Sequence, residues 1–281
     1  AFPTVVSAFV IAAYCAQGVA PDPAVGQAQW GWMQTLAAFG IAALSPLLGA
    51  IADRGGHRRT LLGLCTLVTA VFTGLVWFAQ PNPSWTVWLL VCVGIATLAF
   101  ELGTVFYNSM LPEVAEPAQM GRVSGLAWGL GYAGGLACLA LSLVLFVQPN
   151  PPLFGLDRST SEHVRATALL VAAWTIVFGW PVLLMVPDPP GERLPMGQAV
   201  TSCVGETRRL LRGLPGRPDM LRFLVARLFY TDGLNTLFVF GAIFAAGVHG
   251  MGFEEILLFG IALNVTAGLG AAGFGLGEDR L

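Results

Sequence analysis

Eight apolar stretches, each about 20 residues or longer, dominate this chain. They run over roughly 1–20, 30–52, 60–79, 85–111, 122–148, 164–187, 220–247 and 254–276. A helix rising 1.5 Å per residue needs about 20 such residues to cross the ~30 Å hydrocarbon core of a bilayer. A backbone in lipid must satisfy its own hydrogen bonds, so each stretch is expected to be a transmembrane helix. Proline clusters mark the gaps, as at Pro21 and Pro23, Pro81 and Pro83, Pro149 to Pro152 and Pro187 to Pro190. The chain is 56% hydrophobic and 11% charged. A soluble domain carries about 25% charged residues, so the class is an all-α polytopic membrane protein. The apolar first stretch lacks the basic start of a signal peptide and reads as a spanning helix with its beginning clipped.

The basic residues exclude some chemistry and assign sides. All 14 are arginine. Without lysine there is no phosphate-binding P-loop and no Schiff base to a pyridoxal cofactor. The second connection holds Arg54, Arg58 and Arg59, and the fourth ends at Arg122. The sixth holds Arg193, Arg208, Arg209, Arg212 and Arg217, with Arg222 at its edge, and the eighth begins at Arg280. The first, third and seventh have none, and the fifth has only Arg158 and Arg165. Arginine-rich loops stay inside, so the even connections are expected to be cytoplasmic, at a bacterial inner membrane.

The sixth connection divides the chain. Residues 1–187 form a six-helix bundle, 188–219 a linker, and 220–281 the first two helices of a second bundle. Within the linker, Val200, Cys203, Thr207 and Leu211 recur at helical spacing beside arginines, which describes either an amphipathic surface helix or a cytosolic linker helix. The second and eighth segments close on related patterns, Gly49-Ala-Ile-Ala-Asp53-Arg54 and Gly275-Leu-Gly-Glu-Asp279-Arg280. The same pattern at the same place in each half is what a duplicated transporter predicts.

The segment from Gly49 to Arg59 resembles the loop 2–3 signature of the major facilitator superfamily, G-x-x-x-D-R-x-G-R-R. It matches at Gly49, Asp53, Arg54, Gly56 and Arg58, and His57 stands where a base is usual. In this resemblance Gly49 allows close helix contact, Asp53 faces a helix N-terminus or an arginine, and the glycines allow a sharp turn. The motif, with Asp279 and Arg280 as its partial copy, implies a latch on the cytoplasmic side. Further segments narrow the likeness: Phe100 to Glu113, Gly121 to Tyr132, and Tyr230 to Thr236. Together they resemble the vacuole effluxer-like branch, related to the fungal autophagy-linked vacuolar permease. That resemblance implies a major facilitator-type bundle of twelve helices, about eight of them present, and export of amino acids.

Polar residues inside a span are costly and mark function. Glu101 in the fourth segment is followed by Thr104 and Asn108 at i+3 and i+7, which makes a polar stripe. The seventh carries Asp232, Asn235 and Thr236, with Arg227 nearer the cytoplasm, and the eighth carries Asn264. Glu101 and Asp232 are expected either to face a central cavity, binding substrate or cycling a proton, or to sit in static pairs such as Asp232 with Arg227. Gly125 and Gly129, and Gly131 with Gly135, are small-residue ridges for close helix packing. The G-x-G-x-x-G spacings at Gly129, Gly131 and Gly134 and at Gly268, Gly270 and Gly273 lack the preceding strand a dinucleotide site needs. Trp30, Trp32, Trp77, Trp85 and Trp88 read as an interfacial belt. The scattered cysteines and histidines predict no metal and no cofactor, and nothing suggests an enzyme. The expected partners are a small-molecule substrate, protons and the bilayer, with no nucleic acid, for a monomer. A non-transporting receptor or scaffold on the same fold is the alternative.

Overall fold

The computed structural model describes residues 1–55, 58–186, 205, 209, 212–249 and 253–278. It is a helical bundle with no strand among the described residues. The long helices are α1 (Phe2–Val19), α2 (Pro23–Gly55), α3 (Arg58–Leu75), α4 (Thr86–Ser109), α5 (Met120–Ser142), α6 (Glu162–Met185), α7 (Pro218–His249) and α8 (Phe253–Glu278). Each falls on one of the eight apolar stretches. All but α7 are long and apolar enough over their described residues to cross a membrane, and α7 has 32 residues. The linker expected over 188–219 falls largely outside the described residues, as do Gly56, Asp279 and Arg280.

One boundary moves. The second helix begins at Pro23 rather than near residue 30. The Asp22 carboxylate accepts from the backbone N–H of Ala24 at 2.8 Å and of Val25 at 3.4 Å. Pro23 takes the first helical position, where its missing N–H costs nothing. The proline that reads as loop punctuation thus belongs to a helix start.

The core gathers Phe2, Val5, Val6 and Ile11 of α1 with Leu89, Val93 and Ala96 of α4, Leu139 of α5 and Val171 of α6. Elsewhere large apolar side chains face outward, among them Trp32, Phe39, Leu130, Phe178 and Phe229. In water such a surface would aggregate, whereas in lipid it needs no partner.

The helix ends sort into two sides. Arg58, at the start of α3, donates from Nη1 to the Ser109 carbonyl that ends α4 (3.0 Å) and lies 3.4 Å from Glu113 Oε1. On the other side, the Tyr14 hydroxyl near the end of α1 donates to the Ala79 carbonyl at 2.8 Å. Arg165 of α6, only 5% exposed, donates to the Trp77 carbonyl and lies over the Trp77 ring at 5.1 Å. Arg158 Nη2 donates to the carbonyls of Val147 and Pro149, just past α5. Three arginines thus satisfy carbonyls at or just past helix C-terminal ends, where the dipole favours a cation. This accounts for the two arginines of the fifth connection. It also changes the reading of the tryptophans, because Trp77 is an arginine platform and Trp30 is buried at 4% exposure.

Candidate functional site

Close, backbone-to-backbone helix packing joins α5 to α8. A Cβ placed on Gly125 would lie 2.6 Å from the Ala271 carbonyl oxygen and 2.7 Å from Gly275 Cα. One on Gly275 would meet the Gly121 carbonyl oxygen and Gly125 Cα, each at 2.7 Å. Gly129 continues the seam, 3.3 Å from the Gly268 carbonyl oxygen. Rising numbers on α5 meet falling numbers on α8, so the helices run antiparallel, as helices starting from opposite sides must. The seam joins the first six helices to the last two with backbone against backbone. Gly135 packs differently, with Thr4 Oγ1 of α1 2.6 Å from its Cβ position. A Cβ on Gly131 or Gly49 would meet no neighbouring atom within 4 Å among the described residues. For Gly49 the reason is local, since α2 is only 11% buried over its spanning window.

A half-open cavity of about 320 Å³ lies between α4 and α5. Helices α3 and α6 form its floor through Thr66, Thr69 and Thr175, and α5 contributes Trp128 and Gly131. From α4 come Phe100, Thr104, Tyr107 and Asn108. The lining sits toward the side where α3 begins and α4 and α6 end, with Leu62 and Asn108 nearest those ends on α3 and α4.

The polar stripe of α4 meets this cavity. Asn108 and Thr104 line it, and Glu101 lies one turn further along the same stripe, exposed. Asp232 on α7 is also exposed, and no ion pair joins it to Arg227 among the described residues. Asn235 is in α7, with its side chain outside the described residues, as are those of Asp53 and Arg54 at the end of α2. Asn264 is 4% exposed, and its Nδ2 donates to the Gly260 carbonyl at 2.9 Å. It lies one turn from Gly268 on the packed face of α8, serving the seam side rather than an open cavity. The structure thus brings Thr104 and Asn108 to one cavity and leaves Glu101 and Asp232 as separate exposed carboxylates.

A family model described as vacuole effluxer Atg22 like matches residues 32–281. An uncharacterized MFS-type transporter, YxiO of Bacillus subtilis, is 24% identical over 241 residues, 84% of this chain and 54% of that protein. Autophagy-related protein 22 of Yarrowia lipolytica is 23% identical over 302 residues, 80% of this chain and 49% of that protein. The MFS-type transporter hasB of Aspergillus fumigatus is 30% identical over 162 residues, 48% of this chain and 35% of that protein. The chain spans about half the length of the first two relatives. The family match takes in most of α2 and every helix after it, including the α4 stripe and both sides of the glycine seam. This integral membrane protein belongs to the vacuole effluxer Atg22-like family.

Proposed function

We propose that the full-length protein is a secondary active transporter of a small solute, working by alternating access between two six-helix halves. The observation that carries the reading is the α5–α8 seam. In this reading it joins the two halves, with the backbones of Gly125 and Gly275 in direct contact. Such a surface permits close approach and small sliding, which a rocking cycle needs. The internal repeat extends the idea, because the open Gly49 of α2 stands where Gly275 stands on α8. A helix of the second half beyond this chain would cover it.

In this reading Glu101 and Asn108 on one half, and Asp232 and Asn235 on the other, face the path between the halves. A carboxylate in apolar surroundings holds its proton more tightly, a property that suits proton coupling. Amino acids are the proposed cargo and export the proposed direction. The latch of Gly49, Asp53, Arg54, Gly56 and Arg58, echoed by Asp279 and Arg280, closes the cytoplasmic side. Arg58 binds the end of α4, so movement of the α2–α3 turn is coupled to the helix that bears the polar stripe.

The test is flux through the full-length protein in vesicles, screened against an amino-acid panel. Counterflow of at least one solute above protein-free vesicles is expected. A complete absence of solute-dependent flux would instead support a receptor or scaffold built on the carrier fold.

A further inference from the structure

The crevice between α4 and α5 looks polar by residue name and is apolar by chemistry. Four threonines line it. Thr66 Oγ1 donates to the Leu62 carbonyl at 2.8 Å, and Thr69 Oγ1 to Cys65 at 2.8 Å. Thr104 Oγ1 donates to Phe100 at 3.1 Å, and Thr175 Oγ1 to Val171 at 2.8 Å. Every one of these hydroxyl protons is committed to the carbonyl one turn back in its own helix. A ligand group inside the crevice therefore finds methyl groups, aromatic surface and hydroxyl oxygens with no proton left to give. A carboxylate beside these threonines would lose its hydration without a hydroxyl donor to replace it, at a cost of several kcal/mol. Asn108, exposed at the rim, offers a carboxamide instead.

We propose that this crevice is a subsite for the apolar body of the transported solute, which makes the cargo amphipathic. The proposal rests on the carrier reading above and adds the substrate class to it. At roughly 30 Å³ per water-sized group, a volume of about 320 Å³ holds about ten non-hydrogen atoms. The hydrogen-bonding end of the solute stays at the rim beside Asn108. Continuity with the α4 stripe favours cargo over a bilayer lipid, because Thr104 and Asn108 belong to both the crevice and the stripe. Gly131 lines the crevice without filling it, with no described atom within 4 Å of its Cβ position.

The test uses full-length protein in nanodiscs and alkanols of four to twelve carbons carrying a terminal bromine, which quenches tryptophan fluorescence. Trp128 lines the crevice, so Trp128→Phe isolates its contribution. The expected result is saturable quenching that disappears in Trp128→Phe. Affinity should rise about fourfold per methylene and level off near ten carbons. Thr69→Val and Thr175→Val should bind within twofold of wild type, since neither hydroxyl has a proton to offer a ligand and the alkyl chain donates no hydrogen bond to their oxygens. Gly131→Leu should weaken binding tenfold or more, with Gly131→Ala as the folding control. The same probes should inhibit solute flux by the wild type and not by Gly131→Leu.

Quenching that is linear in probe and identical without Trp128 overturns the subsite, as does affinity indifferent to chain length. Weakening by Thr69→Val overturns its apolar character. Quenching of Trp128 by brominated phosphatidylcholine that the alkanols do not relieve assigns the crevice to bilayer lipid and overturns the cargo assignment. Flux without Trp128-dependent quenching contradicts the crevice alone. Saturable quenching in a protein that carries nothing contradicts the carrier reading, and the cargo assignment with it.

Discussion

Replacing Gly125 by alanine tests the seam at its tightest point. The new methyl would lie 2.6 Å from the Ala271 carbonyl oxygen and 2.7 Å from Gly275 Cα. Both are backbone atoms, so no side chain can rotate away. Unstrained carbon contacts lie at about 3.5–4.0 Å, so α5 and α8 must separate by roughly 1 Å or bend. Overpacking of this kind costs about 1–3 kcal/mol. Alanine also favours a helix over glycine by about 0.5–1 kcal/mol, which acts in the opposite direction. The net expectation is a loss of about 1–2 kcal/mol. Gly131→Ala, six residues along α5, has no neighbour within 4 Å and keeps only the propensity gain. Thermal unfolding of full-length protein in detergent should place Gly125→Ala several degrees below Gly131→Ala, at about 2–4 °C per kcal/mol for a domain of 150–250 residues. Equal midpoints, or a higher one for Gly125→Ala, would refute the packing argument.

Other expectations follow from the arginine contacts and the fifth connection. Glu113→Gln should change the melting midpoint little, because a partly exposed ion pair contributes about 0–1 kcal/mol, whereas Arg58→Ala should cost more by also removing the donor on the Ser109 carbonyl. Arg165→Lys should lower the midpoint clearly, since an ammonium keeps the charge but loses the planar group that covers Trp77 while bonding its carbonyl. Hydrogen bonds from the side chain and backbone of Ser159 hold the Asp157 carboxyl below the usual carboxylate range. A depressed folded-state pKa contributes stability above the unfolded value and loses it as pH falls through the folded one. Melting profiles from pH 6 down to 3 should therefore converge for wild type and Asp157→Asn at the acid end, the wild type being the more stable above it.

The existence of the helices was legible because lipid leaves a long apolar stretch no other choice. The start of α2 was readable too, since Asp22-Pro23 is a cap followed by a first-turn proline, but the surrounding prolines made it look like a loop. The glycine ridge of α5 was visible as spacing. Its division was not: Gly125 and Gly129 meet α8, Gly135 meets α1, and Gly131 meets nothing. Helical periodicity gives faces, while neighbours come only from tertiary packing. Burial of Arg165 was hidden for the same reason, because its acceptor is 88 positions away in sequence. The crevice was hidden by composition, since four threonines look polar until their hydroxyls are traced to their own helices.

The most direct test of the carrier account is proton-gradient-driven flux in vesicles containing the full-length protein, comparing wild type with Glu101→Gln and Asp232→Asn. The account predicts movement of a solute by the wild type that collapses when the gradient is dissipated and is lost in at least one variant. Flux in both variants that matches the wild type at every imposed gradient would contradict it.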